Sequence, residues 1–319
     1  MTIPAYSPML AMRWAEPFVD PSWAFELKWD GIRAILTFGE GRLLIRSRAG
    51  NDLSARYPDL AAHAPERPLV LDGEIVAFDE SGRPSFEVLQ QRMGLTGRAN
   101  VAEAMRTTPV AFAAFDVLFD GAEVIDEPWE LRRRRLELLA LAPPYVVSHV
   151  VPGDPTGLWE LVEERGIEGI VAKRLGSVYR PGERSPDWRK ITRFRQVRAV
   201  VGGYLPGEGG RAGTFGSLLL GLHDAGGLRW IGSVGSGFSD AALAAIREAL
   251  DAMTIGECPF VSDSELPRSA VWVEPHLVAV VQYKEFTGSG RLRGPSFKGF
   301  TDDDPTAITW QAEGPDGPG

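Results

Sequence analysis

"FELKWDGIRA" (residues 25–34) sets a lysine into a strand-like alternation and follows it with an aromatic, an aspartate and a glycine. Phe25, Leu27 and Trp29 fall on one face and Glu26, Lys28 and Asp30 on the other. That is the pattern of a strand with one side on a core and the other on a cleft. Lys28 then points at whatever the cleft holds. A single lysine on a strand is more often a solvated residue, so the surrounding chain has to decide the reading.

Outward from this stretch, apolar strands alternate with helical segments as far as residue 195. Strands are predicted at 24–29, 32–38, 42–47, 69–78, 109–118, 145–150 and 168–173, and helices at 54–63, 85–92, 129–141 and 156–165. "DEPWELRRRRLELLALA" opens with acids and proline, as a helix start should. Its arginines, Arg132 to Arg135, run around the helix and read as solvated surface. The class is α+β with largely antiparallel sheets. Beyond "RKITRFRQ" the chain changes to about five short strands and one helix, 239–253, which suits a small β-barrel of the OB type. The glycine-rich "PGEGGRAGTFG" reads as a hairpin loop, since the chain has no Gly-Lys pair and so no phosphate-loop motif. The expected division is 1–195, 196–304 and an acidic, Gly/Pro-rich, disordered tail at 305–319.

At 319 residues two domains are the natural expectation, and 44% apolar with 24% charged residues is ordinary for a globular protein. No apolar run reaches membrane-spanning length and the first residues lack a signal peptide's features, which predicts a cytoplasmic protein with no membrane partner. One cysteine, Cys258, excludes an internal disulfide and a cysteine-based metal site, and His63, His149, His223 and His276 share no metal-ligand spacing. The net charge of −9 is concentrated late: residues 301–319 carry five acids and no Lys or Arg, leaving −4 for residues 1–300. Within that balanced body, "WRKITRFRQVR" gathers Arg189, Lys190, Arg193, Arg195 and Arg198 without an acid. It reads equally as a phosphate-tracking stripe or a solvated charged strand.

Two further stretches bear on Lys28. "VLDGEIVAFD" (70–79) puts Asp72 and Glu74 on one strand face, and "EGIVAKR" (168–174) opens with Glu168 and returns Lys173 near its end. Lysines and strand-borne carboxylates in one cleft suit nucleotidyl transfer. A lysine amine attacks an α-phosphate only when deprotonated, which nearby cations or desolvation favour. The triphosphate brings Mg²⁺, a hard ion that takes carboxylate oxygens such as those of Glu74 and Glu168. Lys173, Lys190 and arginines would offset phosphoryl charge.

"ELKWDGIR" resembles the KxDG motif of covalent nucleotidyltransferases. "RSRAG", "LDGEIVAFD", "AFDVLFDG", "EGIVAKR" and "DWRKITR" follow in the order and spacing of ATP-dependent DNA ligases. The resemblance runs from "SPMLA" to about residue 304 and is nearest the ligase domain of bacterial end-joining (ligase-D type) ligases. "GGYLPGEGGRAGTFGSLLLGLHD", "VGSGFSD" and "RLRGPSFKGF" are similar to that family's OB domain. It implies an adenylation (nucleotidyltransferase) domain followed by an OB-fold domain, and a reaction with ATP in which Lys28 becomes lysyl-AMP. By the same resemblance Glu26 reads the adenine, Phe115 stacks on it, and Arg33 and Arg48 contact ribose or a DNA 5′-phosphate. Glu74 and Glu168 serve metal (Mg²⁺ or Mn²⁺) and ribose, and Lys173 and Lys190 the phosphates. Implied partners are nicked double-stranded DNA, a Ku-type end-binding protein and a separate polymerase, with the ligase itself a monomer. No further DNA-binding domain is expected before "SPMLA".

Two departures stand out. The fifth motif usually reads WxKxK, and "WRKIT" keeps Lys190 but has Thr192 for the second lysine. The sixth usually ends RxDK, and "TDDD" has Thr301 and Asp304 in place of its cations. Arg189 or Arg193, and Arg291, Arg293 or Lys298, are candidate substitutes. Two other functions fit the residues less well: an RNA ligase or capping-type nucleotidyltransferase, and a non-catalytic or self-adenylylation-impaired DNA-binding adaptor.

Overall fold

A computed structural model describes residues 3–61, 64–261 and 265–315; His63 and Asp316 lie outside them. The chain divides into two units, Met1–Arg193 and Phe194–Gly319.

The first unit has, in order, β1 (Leu10–Trp14), β2 (Trp23–Leu27), β3 (Ile32–Gly39), β4 (Arg42–Ser47), β5 (Leu69–Val76), α1 (Phe86–Gln90), α2 (Arg98–Thr107), β6 (Ala111–Asp120), α3 (Trp129–Leu138), β7 (Tyr145–Val147), β8 (Val150–Pro152), α4 (Thr156–Arg165), β9 (Gly169–Arg174) and β10 (Arg184–Thr192). They build two five-stranded sheets, β1-β10-β9-β2-β8 and β4-β3-β5-β6-β7. Pairing is antiparallel apart from β1 with β10 and β6 with β7. Ala24 and Trp188 of the first sheet meet Ile35, Val70 and Phe115 of the second in one apolar cluster between the sheets. The far side of the first sheet is covered by α4, whose Leu158 and Val162 pack on Phe25, Ile170 and Ile191. Strand β2 is thus buried on both faces, and its alternation sends Phe25 toward α4 and Ala24 into the layer between the sheets.

Some expectations are corrected here. Of the predicted helix 54–63, only a single 3₁₀ turn, Pro58–Leu60, forms among the described residues, where proline opens the turn and Arg92 holds Asp59 and the Arg56 carbonyl. Helix α2 was not foreseen. Arg132 is fully buried, gripping Asp116 of β6 through two bonds of 2.9 and 2.8 Å and donating to the Glu127 and Ser177 carbonyls. Arg133 is also buried, so only Arg134 and Arg135 of the four are exposed.

The second unit has β11 (Arg195–Pro206), β12 (Phe215–Asp224), β13 (Gly227–Val234), α5 (Asp240–Ala252), β14 (Thr254–Ile255), β15 (Val271–Val273), β16 (Val278–Tyr283), β17 (Glu285–Phe286), β18 (Leu292–Arg293), β19 (Ser296–Thr301) and α6 (Trp310–Glu313). Long β11 pairs β12 on one edge and both β15 and β16 on the other, which bends the sheet around the apolar face of α5. This is the arrangement of an OB-like domain, but the pairing does not close: β13 at one end finds no strand-to-strand ladder with β14 or β19 among the described residues. The "PGEGGRAGTFG" segment is the β11–β12 hairpin connection, as read. Residues 305–315 are not a disordered tail. They form a 3₁₀ turn and α6, Ile308 sits in the core at 1% exposure, and Glu313 is bound by Arg198. Apolar Ile308 and Trp310 within an acidic composition are what the expectation overlooked.

Candidate active site

Sheet register assembles the site in rows on the inner face of the first sheet. Ala24, Lys173 and Trp188 pair across β2, β9 and β10. Two residues along, Glu26, Val171 and Lys190 form the next row. One step further, the Lys28 backbone donates to the Gly169 carbonyl at 2.8 Å, and Gly169 pairs with Thr192. The second sheet faces these rows with Arg33, Asp72 and Glu74 from β3 and β5. Between Asp72↔Asp116 and Gly73↔Ala114 the β5–β6 register shifts, and Phe115 is the extra residue of that bulge. Among them lies a cavity of about 250 Å³ lined by Glu26, Lys28, Arg33, Arg48, Glu74, Phe115, Lys173 and Lys190, together with Trp29, Arg184 and Trp188.

The glycines of the two lysine-bearing motifs are needed for this closeness. A Cβ at Gly31 would stand 2.1 Å from the Ile75 carbonyl oxygen, and one at Gly169 2.1 Å from that of Ile191. Gly169 also has φ +149°.

Lys28, just past β2, is ion-paired with Glu168. Glu168 is therefore the nucleophile candidate's partner as well as an expected metal ligand. Glu74 makes no hydrogen bond or ion pair among the described residues, and burial pushes its carboxyl up to about 8 against the opposing pull of Arg33 and Lys28. No group of three or more His, Cys, Asp or Glu side chains gathers as a metal site among the described residues. A half-buried carboxyl that lacks a side-chain partner among the described residues is nonetheless a fitting oxygen donor for a hard cation. Lys190 likewise has no hydrogen-bond partner among the described residues; its pKa is lowered by burial and then by the charges of Lys28 and Arg184.

Other expected residues are committed elsewhere. Arg33 grips Asp72 through two bonds of 2.6 and 2.7 Å, with Tyr179 donating to the same carboxylate at 2.6 Å. That leaves Arg48 as the arginine of the pair without a side-chain partner among the described residues. The Phe115 ring carries Arg33 and Lys173, each 4.4 Å from its centroid, and is 6% exposed, so it offers a base little stacking area. The Lys173 amine, expected at the phosphates, is bonded to the protein itself in this geometry. It is 1% exposed, 2.5 Å from Glu26 Oε1 and 3.0 Å from the Phe115 carbonyl, above the Trp188 ring. Burial raises the Glu26 pKa and lowers that of Lys173, each opposed by the other's charge.

The cations proposed to replace the missing motif lysines differ in availability. Arg189 faces away from the cavity, boxed by Trp14, Phe18 and Trp23 at 3.9, 5.2 and 4.2 Å. Arg291 is held by the Trp230 carbonyl and Glu265, and Arg293 by Glu285. Lys298 has no partner among the described residues. In "TDDD", Asp303 pairs with Arg198 and Asp304 caps the following 3₁₀ turn. Trp29, Arg184 and Trp188 were not singled out from sequence. Trp188 opens the "WRK" motif and Trp29 follows the lysine, but nothing local marks Arg184, which joins the cavity wall through the parallel β1–β10 pairing.

Comparison with known proteins points the same way. The family described as ATP dependent DNA ligase domain matches residues 8–192, and ATP dependent DNA ligase C terminal region matches 211–304. The multifunctional non-homologous end joining protein LigD of Mycolicibacterium smegmatis is 39% identical over 316 residues, covering 96% of this chain and 40% of that protein. Its Mycobacterium tuberculosis counterpart is 40% identical over 306 residues, covering 93% and 38%. The chain thus spans about two fifths of the length of these curated relatives. Among solved structures, the ligase domain of M. tuberculosis LigD aligns with TM-score 0.55 at 37% identity over 95% of this chain and 98% of that one. Mycobacterial DNA ligase D complexed with ATP and MES aligns with the same score and coverage at 38% identity.

Proposed function

We propose that this chain, which belongs to the ATP-dependent DNA ligase family, seals nicks in double-stranded DNA through an adenylylated lysine. The observation that carries the proposal is Lys28 at the wall of the cavity, ion-paired with Glu168 and within reach of Lys190's charge. In the first step Glu168 takes the ammonium proton, the Lys28 nitrogen bonds to the α-phosphorus of ATP, and the α–β phosphoanhydride breaks to release pyrophosphate. Lys190, with Arg48 and Arg184, offsets charge on the phosphoryl oxygens. Glu74 is the residue we assign to a divalent cation, Mg²⁺ or Mn²⁺, which when bound supplies Lewis-acid neutralisation of the triphosphate. AMP then passes from Lys28 to the 5′-phosphate of a nick, and the 3′-hydroxyl displaces it.

The relatives' names as non-homologous end joining proteins support a role in DNA end joining, with a Ku-type end-binding protein and a separate polymerase as partners. Sealing of a nicked duplex with ATP and Mg²⁺ tests the reading. Joining of nicked DNA in preference to nicked RNA is expected. Joining of RNA alone would contradict it.

A further inference from the structure

Resting on the reading above, we infer that Ser148, which lies in none of the motifs, is a positioning residue for the Lys28 nucleophile and acts by holding the indole of Trp29. Lys28 stands outside regular secondary structure. Strand β2 ends at Leu27 in the first sheet and β3 begins at Ile32 in the second, so residues 28–31 are a crossover between the sheets. The chain returns by another crossover, Ser148 and His149, which joins β7 of the second sheet to β8 of the first. Trp29 Nε1 donates to Ser148 Oγ at 2.9 Å and so ties the two crossovers together.

A connection between sheets has no ladder to fix it, and the aim of a side chain on it depends on the bonds to either side. At one end of this connection the Lys28 backbone donates to the Gly169 carbonyl at 2.8 Å. At the other, Gly31 is pressed against the Ile75 carbonyl. Between these points the Trp29–Ser148 bond is the anchor. Ser148 is fully buried, and its own N–H donates to the Ala114 carbonyl of β6 at 2.8 Å, so its hydroxyl stands on the second sheet. The indole lines the same cavity as Lys28, with Ser148 behind it. Without the hydroxyl, the indole N–H loses its acceptor and the ring is free to turn, and Lys28 moves with the backbone it shares.

The reaction itself separates positioning from folding. The Lys28 nitrogen makes or breaks a bond in the first two steps and in neither way takes part in the third, where the 3′-hydroxyl displaces AMP already on the DNA. A residue that aims Lys28 affects charging of the protein and spares sealing of a pre-adenylylated nick.

The test is single-turnover fixation of α-labelled ATP over a range of ATP concentrations, run beside sealing of a pre-adenylylated nick, in Ser148→Ala, Trp29→Phe and the double variant. Ser148→Ala should lower the maximal labelling rate about tenfold or more at a nearly unchanged half-saturating ATP concentration, with sealing of the pre-adenylylated nick within about twofold of wild type. Trp29→Phe keeps an aromatic ring but loses the N–H. It should show the same split, and the double variant should be no slower than either single one.

Wild-type labelling by Ser148→Ala, an equal fall in both reactions, or losses that multiply in the double variant would overturn the inference. Should Ser148→Ala fail to fold, Trp29→Phe decides alone by the same split. A wild type that is never labelled removes the ligase reading and this inference together, whereas a labelled wild type with an equally labelled variant removes this inference alone.

Discussion

Glu74 is the residue whose chemistry is most open to direct measurement. Its folded-state pKa of about 8 stands above its usual 4.5 because burial disfavours the charged form. Between those values the folded protein holds a proton that the unfolded chain has released, so this residue's contribution to stability falls as pH rises through the window and is fully lost above about 8. Glu74→Gln is neutral throughout. Its melting temperature should therefore rise relative to wild type from pH 5 to pH 9, and Mg²⁺ should narrow the gap at high pH by binding the wild-type carboxylate. Parallel melting curves across that range would show that Glu74 is ionised without help. At this scale the sequence was informative where function is local: Lys28, Glu74, Glu168 and Lys190 were legible from their motifs and do line or adjoin one cavity. Lys173 and Arg33 are held by Glu26 and Asp72, which sit 147 and 39 positions away, and nothing in a motif's spelling says that its cation has such a partner.

Helix α3 shows how an element's role can hide in its composition. Four consecutive arginines suggest a solvated surface, yet helical geometry turns Arg132 and Arg133 inward while Arg134 and Arg135 face water. Arg132 and Asp116 are both fully buried, and Asp116 directly follows the bulged Phe115 of the cavity wall. Arg132→Ala strands a buried carboxylate and should cost about 3–5 kcal/mol in chemical denaturation. Arg134→Ala should stay within about 0.5 kcal/mol. Equal, small effects would return the helix to the surface reading. The strands around the site were legible because alternation and glycine punctuation are local signals. Strand β1 escaped notice, and β10 was read only as one of two options for "WRKITRFRQVR", because their parallel pairing joins Leu10 to Arg184, a match between distant segments with no sequence period of its own. Helix α2 escaped for a simpler reason: of its ten residues only Val101 and Ala104 are buried, too few to form an apolar stripe.

For the whole molecule the account turns on whether a ligase with altered fifth and sixth motifs still charges itself with AMP. Thr192 stands in the same sheet row as Lys28 and Gly169, where a second cation is missing. Arg189 is turned into an aromatic box and cannot replace it. In the second unit two of the "TDDD" acids act as local fasteners, Asp303 on Arg198 and Asp304 as a 3₁₀ cap. The missing charge bears on ATP, not on a nick that already carries AMP. Thr192→Lys should accordingly speed formation of the adenylylated protein more than it speeds sealing of a pre-adenylylated nick, as followed by single-turnover kinetics. Equal gains in both steps would remove Thr192 from any special part in the first. The most direct measurement is incubation with α-labelled ATP and Mg²⁺ or Mn²⁺, comparing the protein, first freed of bound AMP, with Lys28→Ala. Label fixed to the wild-type chain and lost in the variant is the predicted result; a wild-type chain that stays unlabelled, or a variant that labels equally, would contradict the account.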